Sequence, residues 1–433
     1  MNTFTLGICI FLFTYYLIIT EKIPHTLSAL LGGVLMVILK ILPSEKAFHS
    51  IDLNVIFLLI GMMIIVHITS ESGLFQWVAI NIAKSVRGEP FPLMLLLMVI
   101  TALFSALLDN VTTILLLGPV TILITEELKI DSIPFLIAEV IASNIGGTAT
   151  LIGDPPNILI GSASKLTFNE FAINLSPIAL IILVVTIINF KFIFGNKMKV
   201  SNVLKAKIMD IDASRALRDK NLMITSLSVL LFVFIGFLTH SITHIEPAFI
   251  AFGGAVVLMI VTKKDVEEIF KTIEWKTLFF FIGLFIMVEG IVEIGAIDIL
   301  ANRALTFTGG DLPKTSILIL WMSAIISSVV DNIPYTATLI PMIKTGLIPN
   351  IATSHPEISL QVIRYSLWWA LALGACLGGN GTLIGASANV VAAGIASKSG
   401  KNLSFMKFTK YGSLIMIESL LLSTLYLWFR FFR

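Results

Sequence analysis

The chain repeats itself. Asp52-Leu-Asn-Val-Ile-Phe-Leu-Leu-Ile-Gly61 returns as Glu274-Trp-Lys-Thr-Leu-Phe-Phe-Phe-Ile-Gly283, at an offset of 222 residues. The same offset carries Gly73 onto Gly295, Asp109 onto Asp331 and Pro119 onto Pro341. After ten inserted residues it becomes 232 and carries Gly146-Gly147 onto Gly378-Gly379, Leu151-Ile152-Gly153 onto Leu383-Ile384-Gly385, and Asn157 onto Asn389. A spacing held over so many residues marks a duplicated unit.

What the unit folds into follows from its apolar runs. Of 433 residues 57% are hydrophobic and 13% charged, with mean hydropathy +0.97, against roughly 45–50% and about 25% in soluble domains. Two cysteines, Cys9 and Cys376, exclude a disulfide scaffold, and a net charge of +2 leaves no footprint for nucleic acid. A membrane-crossing helix needs about 20 apolar residues. Candidates lie at 3–20, 26–42, 53–69, 133–164 and 172–194, then at 221–240, 247–262, 276–294, 361–396 and 409–431. The first lacks a basic leader and a small-residue cleavage site, so it reads as a retained span. Two further blocks, 92–125 and 314–346, are interrupted by Asp109-Asn110 and Asp331-Asn332, with arms of about 16 residues by this count. They predict re-entrant helical hairpins.

Parity then sets the symmetry. Five crossing segments and one hairpin make an odd number per unit, so the second unit is expected upside down relative to the first. The predicted fold is an all-α polytopic membrane protein of two inverted repeats, with about ten crossings and two hairpins. The expected divisions are a first repeat over 1–194, a basic connector over 195–220 and a second repeat over 221–433. Of the 29 lysines and arginines, 20 fall in loops on one side, eight of them at 191–220. That side is expected to face the cytoplasm, placing both termini outside. The connector itself reads as a solvated linker rather than a partner-binding site.

Chemistry should sit where the apolar pattern fails. Asp109 and Asp331 are ionisable groups at membrane depth, which marks a functional-site candidate. Each also suits the cap of the helix that follows it, and the two roles are compatible at a half-helix N-terminus. Gly146, Gly147, Gly153, Pro155 and Pro156 in the first unit, and Gly378, Gly379 and Gly385 in the second, must break their helices. The breaks free backbone groups to face an ion or polar solute; a purely structural break, with glycines for close packing, is the alternative. Around the breaks and hairpin tips, Asn110, Thr112, Asn144, Thr148, Thr150, Asn157, Asn332, Thr336, Asn380, Thr382 and Asn389 supply neutral ligating groups. The units differ chemically: Asp154 faces Ala386 in the alignment, and Glu139 faces Leu371. Asp154 is therefore a third candidate for coupling-ion or proton binding. Glu139 reads equally as functional or as lying near a helix end, Glu289 and Glu293 suit an interfacial end, and the histidines show no metal-ligand spacing.

The motifs Asp109-Asn-Val-Thr-Thr113, Asn144 to Asn157, Asp331-Asn-Ile-Pro-Tyr-Thr336 and Gly378 to Asn389 resemble the ion transporter superfamily, and within it the arsenite permease and melanosomal P-protein branch. The likeness implies a scaffold and a moving domain per protomer, an elevator-type motion and often a homodimer. It further implies a secondary active transporter in a bacterial inner membrane, surrounded by lipid. The leading expectation is a proton-coupled antiporter exporting arsenite, antimonite or a small inorganic ion. The alternatives are a sodium/proton antiporter, a sodium-coupled dicarboxylate-type carrier and a channel. No nucleophile–base pair, His-Glu-x-x-His helix or phosphate-binding loop occurs, so neither an enzyme nor a resident cofactor or metal is expected, only protons and sodium as coupling ions. Any ATP drive would come from a separate subunit.

Overall fold

The computed structural model describes residues 2–20, 22–195 and 198–433, and among them every regular element is helical. Nine helices are long and apolar enough to cross a membrane, by length and composition, among the described residues. Their outer faces are apolar: Phe232 on the helix Lys220–Thr243 is 70% exposed. A surface of that kind is stable only against lipid. The chain is an integral membrane protein.

The two units clasp each other by exchange. Helix Leu53–Glu71 of the first packs on Pro247–Thr262 of the second, and Trp275–Glu293 of the second packs on His25–Ile38 of the first. Both crossings close on glycine. A Cβ on Gly61 would lie 2.6 Å from the Ala251 backbone, and one on Gly283 would lie 2.5 Å from that of Ala29. The 222-residue offset maps one contact onto the other, so the repeat in sequence is a pseudo-two-fold in structure.

Inside this frame each unit contributes a hairpin and a broken helix. The first hairpin is Pro90–Leu107 and Asn110–Glu127; its neighbour is broken into Ile133–Thr148 and Pro155–Ser164. Both ends of the hairpin reach the same basic face, where Glu89 pairs with Lys205 and Glu126 lies 3.7 Å from Lys401. It therefore enters and leaves on one side. In the second unit Leu312–Ser327 leads into the arm beginning at Asn332–Pro341, beside the broken pair Leu360–Gly378 and Ser387–Lys398. Loops assigned to one face meet there, through Lys264 with Glu71 and Lys407 with Asp131.

The structure corrects several local expectations. The arms of the first hairpin have 18 residues each, not about 16. The segment 26–42 is helical only over His25–Ile38. The second hairpin does not stop at 346: past Pro341, which breaks the regular ladder, the arm widens into a π-type turn, Met342–Leu347, and runs on through Ile348–Ser354. The loop expected at 70–91 contains helix Leu74–Ser85, and its repeat mate is Ala296–Thr308. Each starts after a left-handed glycine, Gly73 or Gly295. The connector is also more than a solvated linker. It forms helix Asn202–Asp210 and a short 3-10 turn, and the Arg218 amide donates to the Ser72 carbonyl at 2.8 Å. Ala216 lies so close that a Cβ on Gly73 would sit 1.9 Å from its carbonyl oxygen.

Candidate functional site

The hairpin tips and helix breaks converge because each break is held open by an asparagine. Asn157 Nδ2 donates to the carbonyls of Gly147, Thr148 and Thr150. Its repeat mate Asn389 donates to those of Gly379, at 2.7 Å, and Thr382, at 2.8 Å. The glycines let the two sides of each break touch, Gly147 against Gly153 and Gly379 against Gly385. Pro155 and Pro156 open the helix after the first break, where no amide donor is needed. Asn157→Ala is expected to lose about 1–3 kcal/mol, because it strands buried carbonyls. The melting temperature of the purified protein reads this directly.

Hydroxyls expected at the solute are mostly turned to the backbone. Thr148 donates to the Asn144 carbonyl, Thr336 to that of Asn332, Thr150 to that of Ala106, and Thr382 to that of Ser328. The last two are repeat mates that tie each break to its hairpin. Thr112 contributes its amide, which donates to Asp109 at 2.8 Å. These four hydroxyls and this amide shape the site.

The asparagines join the two units. Asn144 Nδ2 donates to Asn380 Oδ1 at 2.9 Å and to Asn389 Oδ1 at 3.0 Å, while Asn110 Nδ2 donates to Asn144 Oδ1 at 3.3 Å. Asn110 Oδ1 and Asn380 Nδ2 are buried without a partner among the described residues. One acceptor and one donor thus remain for a ligand.

The three aspartates divide by role. Asp109 caps Asn110–Glu127, and Asp331 caps Asn332–Pro341 while accepting from Ser387 Oγ at 2.7 Å. Asp154 stands at the cap position of Pro155–Ser164 and makes no cap bond. Fully buried, its carboxylate oxygens each lie 3.3 Å from Asn332 Nδ2 of the opposite hairpin. Asp109, Asp154 and Glu274 line one cavity of about 280 Å³, together with Asn110, Asn332 and Ser387. No lysine, arginine or histidine lines it among the described residues. No cluster of three or more His, Cys, Asp or Glu suited to a metal ion occurs among them either.

Two lining groups escape sequence reasoning. Glu274, held by Thr277 Oγ1 at 3.1 Å, reads in the alignment as the counterpart of Asp52. Asp52 itself caps Leu53–Glu71 and binds Ser162, away from this cavity. Ser387 replaces Pro155 in the repeat, and the swap was the available signal. Cys376 is buried against Asn157 Oδ1 at 3.5 Å, and Cys9 is exposed elsewhere.

Known proteins share this plan. A family model described as CitMHS, citrate transporter, matches residues 15–374. An uncharacterized transporter, Rv2684, of Mycobacterium tuberculosis (strain ATCC 25618 / H37Rv) is 44% identical over 430 residues, covering 98% of each chain. The P protein of Homo sapiens is 34% identical over 506 residues, covering 98% of this chain and 59% of that protein. The crystal structure of the Alcanivorax borkumensis YdaH transporter, described as having an unusual topology, matches with a TM-score of 0.58 at 13% identity. That match covers 89% of this chain and 87% of the other, and it concerns the fold alone. Exchanged repeats, hairpins and broken helices around a central cavity define a membrane transporter. The chain belongs to the citrate transporter family of the ion transporter superfamily, and the P protein branch that its motifs resemble is among its relatives.

Proposed function

We propose that the protein is a secondary active, proton-coupled antiporter of a small inorganic cation, with sodium as the leading substrate. The observation that carries this reading is the cavity. Three carboxyl groups line it with no basic side chain, among the described residues, to neutralise them. Such a site favours a cation or a proton at Asp154, Asp109 and Glu274, with Asp331 one hydrogen bond behind the lining Ser387, and opposes an unaccompanied anion. Arsenite has less support, since Cys376 is the one thiol near the breaks and it is held by Asn157. A bacterial inner-membrane setting suits the role. The hairpins with their broken helices would carry the solute past the exchanged helices, one protomer or two working alike.

A second reading is favoured by the family match: a carboxylate substrate, entering only with cations that offset its charge. The discriminating experiment uses purified protein in proteoliposomes with a trapped pH dye, challenged with sodium, lithium, arsenite and citrate. Sodium or lithium is expected to drive protons the opposite way without citrate, and Asp109→Asn and Asp331→Asn to abolish this. Asparagine caps helices as well as aspartate, so these changes remove charge and leave the caps. Citrate uptake that requires a divalent cation, with no response to sodium alone, would establish the second reading.

A further inference from the structure

The proton-coupled reading needs a route between the cavity and the basic face, and Glu139 marks one. Glu139 is 1% exposed in the middle of Ile133–Thr148. Thr121 Oγ1 donates to its Oε1 at 2.6 Å, and Oε2 has no partner among the described residues. Toward the basic face, Thr125 Oγ1 lies 2.8 Å from the Thr121 carbonyl and 2.7 Å from Ser132 Oγ. Ser132 in turn receives Lys401 Nζ at 2.5 Å, beside the half-exposed Glu126. Toward the cavity, Ser143 sits one turn beyond Glu139. Its hydroxyl lies 3.1 Å from the carbonyl of Asn110, a cavity-lining residue, and 3.2 Å from Ser105 Oγ. The hydroxyls of Thr101 and Thr113, in the two arms of the same hairpin, are buried without partners among the described residues. Unpartnered buried polar atoms along one seam are where internal water is held.

The duplication supplies a control inside the same molecule. The repeat offsets carry Thr121, Thr125 and Glu139 onto Ile343, Leu347 and Leu371, all fully buried, and Ser143 onto Ala375. The second unit carries apolar side chains at all four positions, Ile343 and Leu347 standing in the π-type turn Met342–Leu347. The duplicated sequence therefore does not itself call for a carboxyl and two hydroxyls in the first unit. Several ionisable groups on the packed elements are engaged elsewhere. Glu126 pairs with Lys401, Glu170 is held by Tyr365, Arg364 by the Ser164 carbonyl, Glu418 by Asn189 and Cys376 by Asn157. No ion pair or hydrogen bond joins any of them to Glu139 among the described residues.

We infer that Glu139 is a proton-carrying residue in a polar seam that connects the basic face to the cavity through Ser132, Thr125, Thr121 and Ser143. One proton adds to the Glu139 carboxylate from the seam on one side and leaves to the seam on the other. Each hydroxyl or water oxygen on the way accepts one proton and releases another, and no electron pair changes owner. The helical turns between Thr121 and Thr125 and between Glu139 and Ser143, each about 5–6 Å, would each take one bridging water.

This inference rests on the proton-coupled reading, and one experiment separates the two. Full-length protein in proteoliposomes receives a sodium gradient, with proton movement read by a trapped dye and sodium movement by tracer. Glu139→Gln is expected to cut sodium-driven proton movement at least tenfold while sodium-for-sodium exchange, which moves no net proton, persists. Glu139→Asp should restore proton movement, and Thr121→Val should slow it severalfold. Should Glu139→Gln fold poorly, the triple change Thr121→Ile, Thr125→Leu and Glu139→Leu installs the second unit's apolar side chains and reads the same quantity. Wild-type proton movement and an unchanged pH profile in these variants would overturn the role of Glu139 alone. Sodium exchange without any proton movement in the unaltered protein would overturn the coupling reading and this inference with it.

Discussion

Asp154→Asn is expected to cut coupled exchange about 10- to 100-fold while leaving the fold intact. Asparagine has the same shape, and its carbonyl can still accept from Asn332 Nδ2, which lies 3.3 Å from both Asp154 oxygens. Only the charge is lost. Contacts to a charged group contribute about 1.5–3 kcal/mol, and 1.36 kcal/mol is tenfold in rate, so exchange should fall about 10- to 100-fold. Asp52→Asn is the matched control. It changes a capping aspartate outside the cavity to an equally good cap, and exchange should stay near wild type. Unimpaired exchange in Asp154→Asn would remove the central carboxyl from the mechanism.

Adding one methyl group at Gly146 should be among the most destabilising small changes in the chain. Its Cβ would lie 2.1 Å from the Ala102 carbonyl oxygen and 2.6 Å from two further Ala102 backbone atoms. No side chain can turn aside to relieve this, because the obstacle is the backbone of the hairpin arm. Overpacking commonly costs about 1–3 kcal/mol, and a backbone collision belongs at or above the top of that range. Gly378→Ala meets Ala324 in the same way, at 2.6 Å from its Cα. Loss of the monodisperse peak in detergent chromatography is expected for both. Gly253→Ala, with nothing within 4 Å of the added carbon, should be neutral or gain about 0.5–1 kcal/mol from helix propensity. Equal behaviour of Gly146→Ala and Gly253→Ala would mean that the arm shifts freely.

Most of the frame was legible because the membrane and the duplication each leave a pattern. Apolar run lengths located the crossing segments, and the Asp109 and Asp331 interruptions located the hairpins. The glycine and proline clusters located both breaks to within a few residues. Helices Leu74–Ser85 and Ala296–Thr308 were not legible, because they are too short to cross and their left-handed glycine starts look like turns. Of the candidate residues, Asp109, Asn110, Asp154 and Asn332 meet at one cavity, but their division of labour was not legible. An aspartate before a helix suits capping and ion binding alike, and spacing cannot separate the two. Geometry can: Asp109 and Asp331 cap, and Asp154 does not. Glu274 was hidden for the opposite reason, since its repeat mate Asp52 has a structural task elsewhere. Duplication predicts shared shape and leaves chemistry free to diverge.

The exchange of helices between units also sets an order of events during synthesis. Gly61 waits for Ala251, and Ala29 waits for Gly283, a partner 254 residues downstream. At about 5–20 residues per second, the helix His25–Ile38 spends roughly 10–50 s in the bilayer before its partner is made. Throughout that interval the small-residue face around Ala29 and Gly33 lies open to lipid or to a neighbouring nascent chain. The first unit is thus born incomplete, and the second arrives as its template as well as its copy.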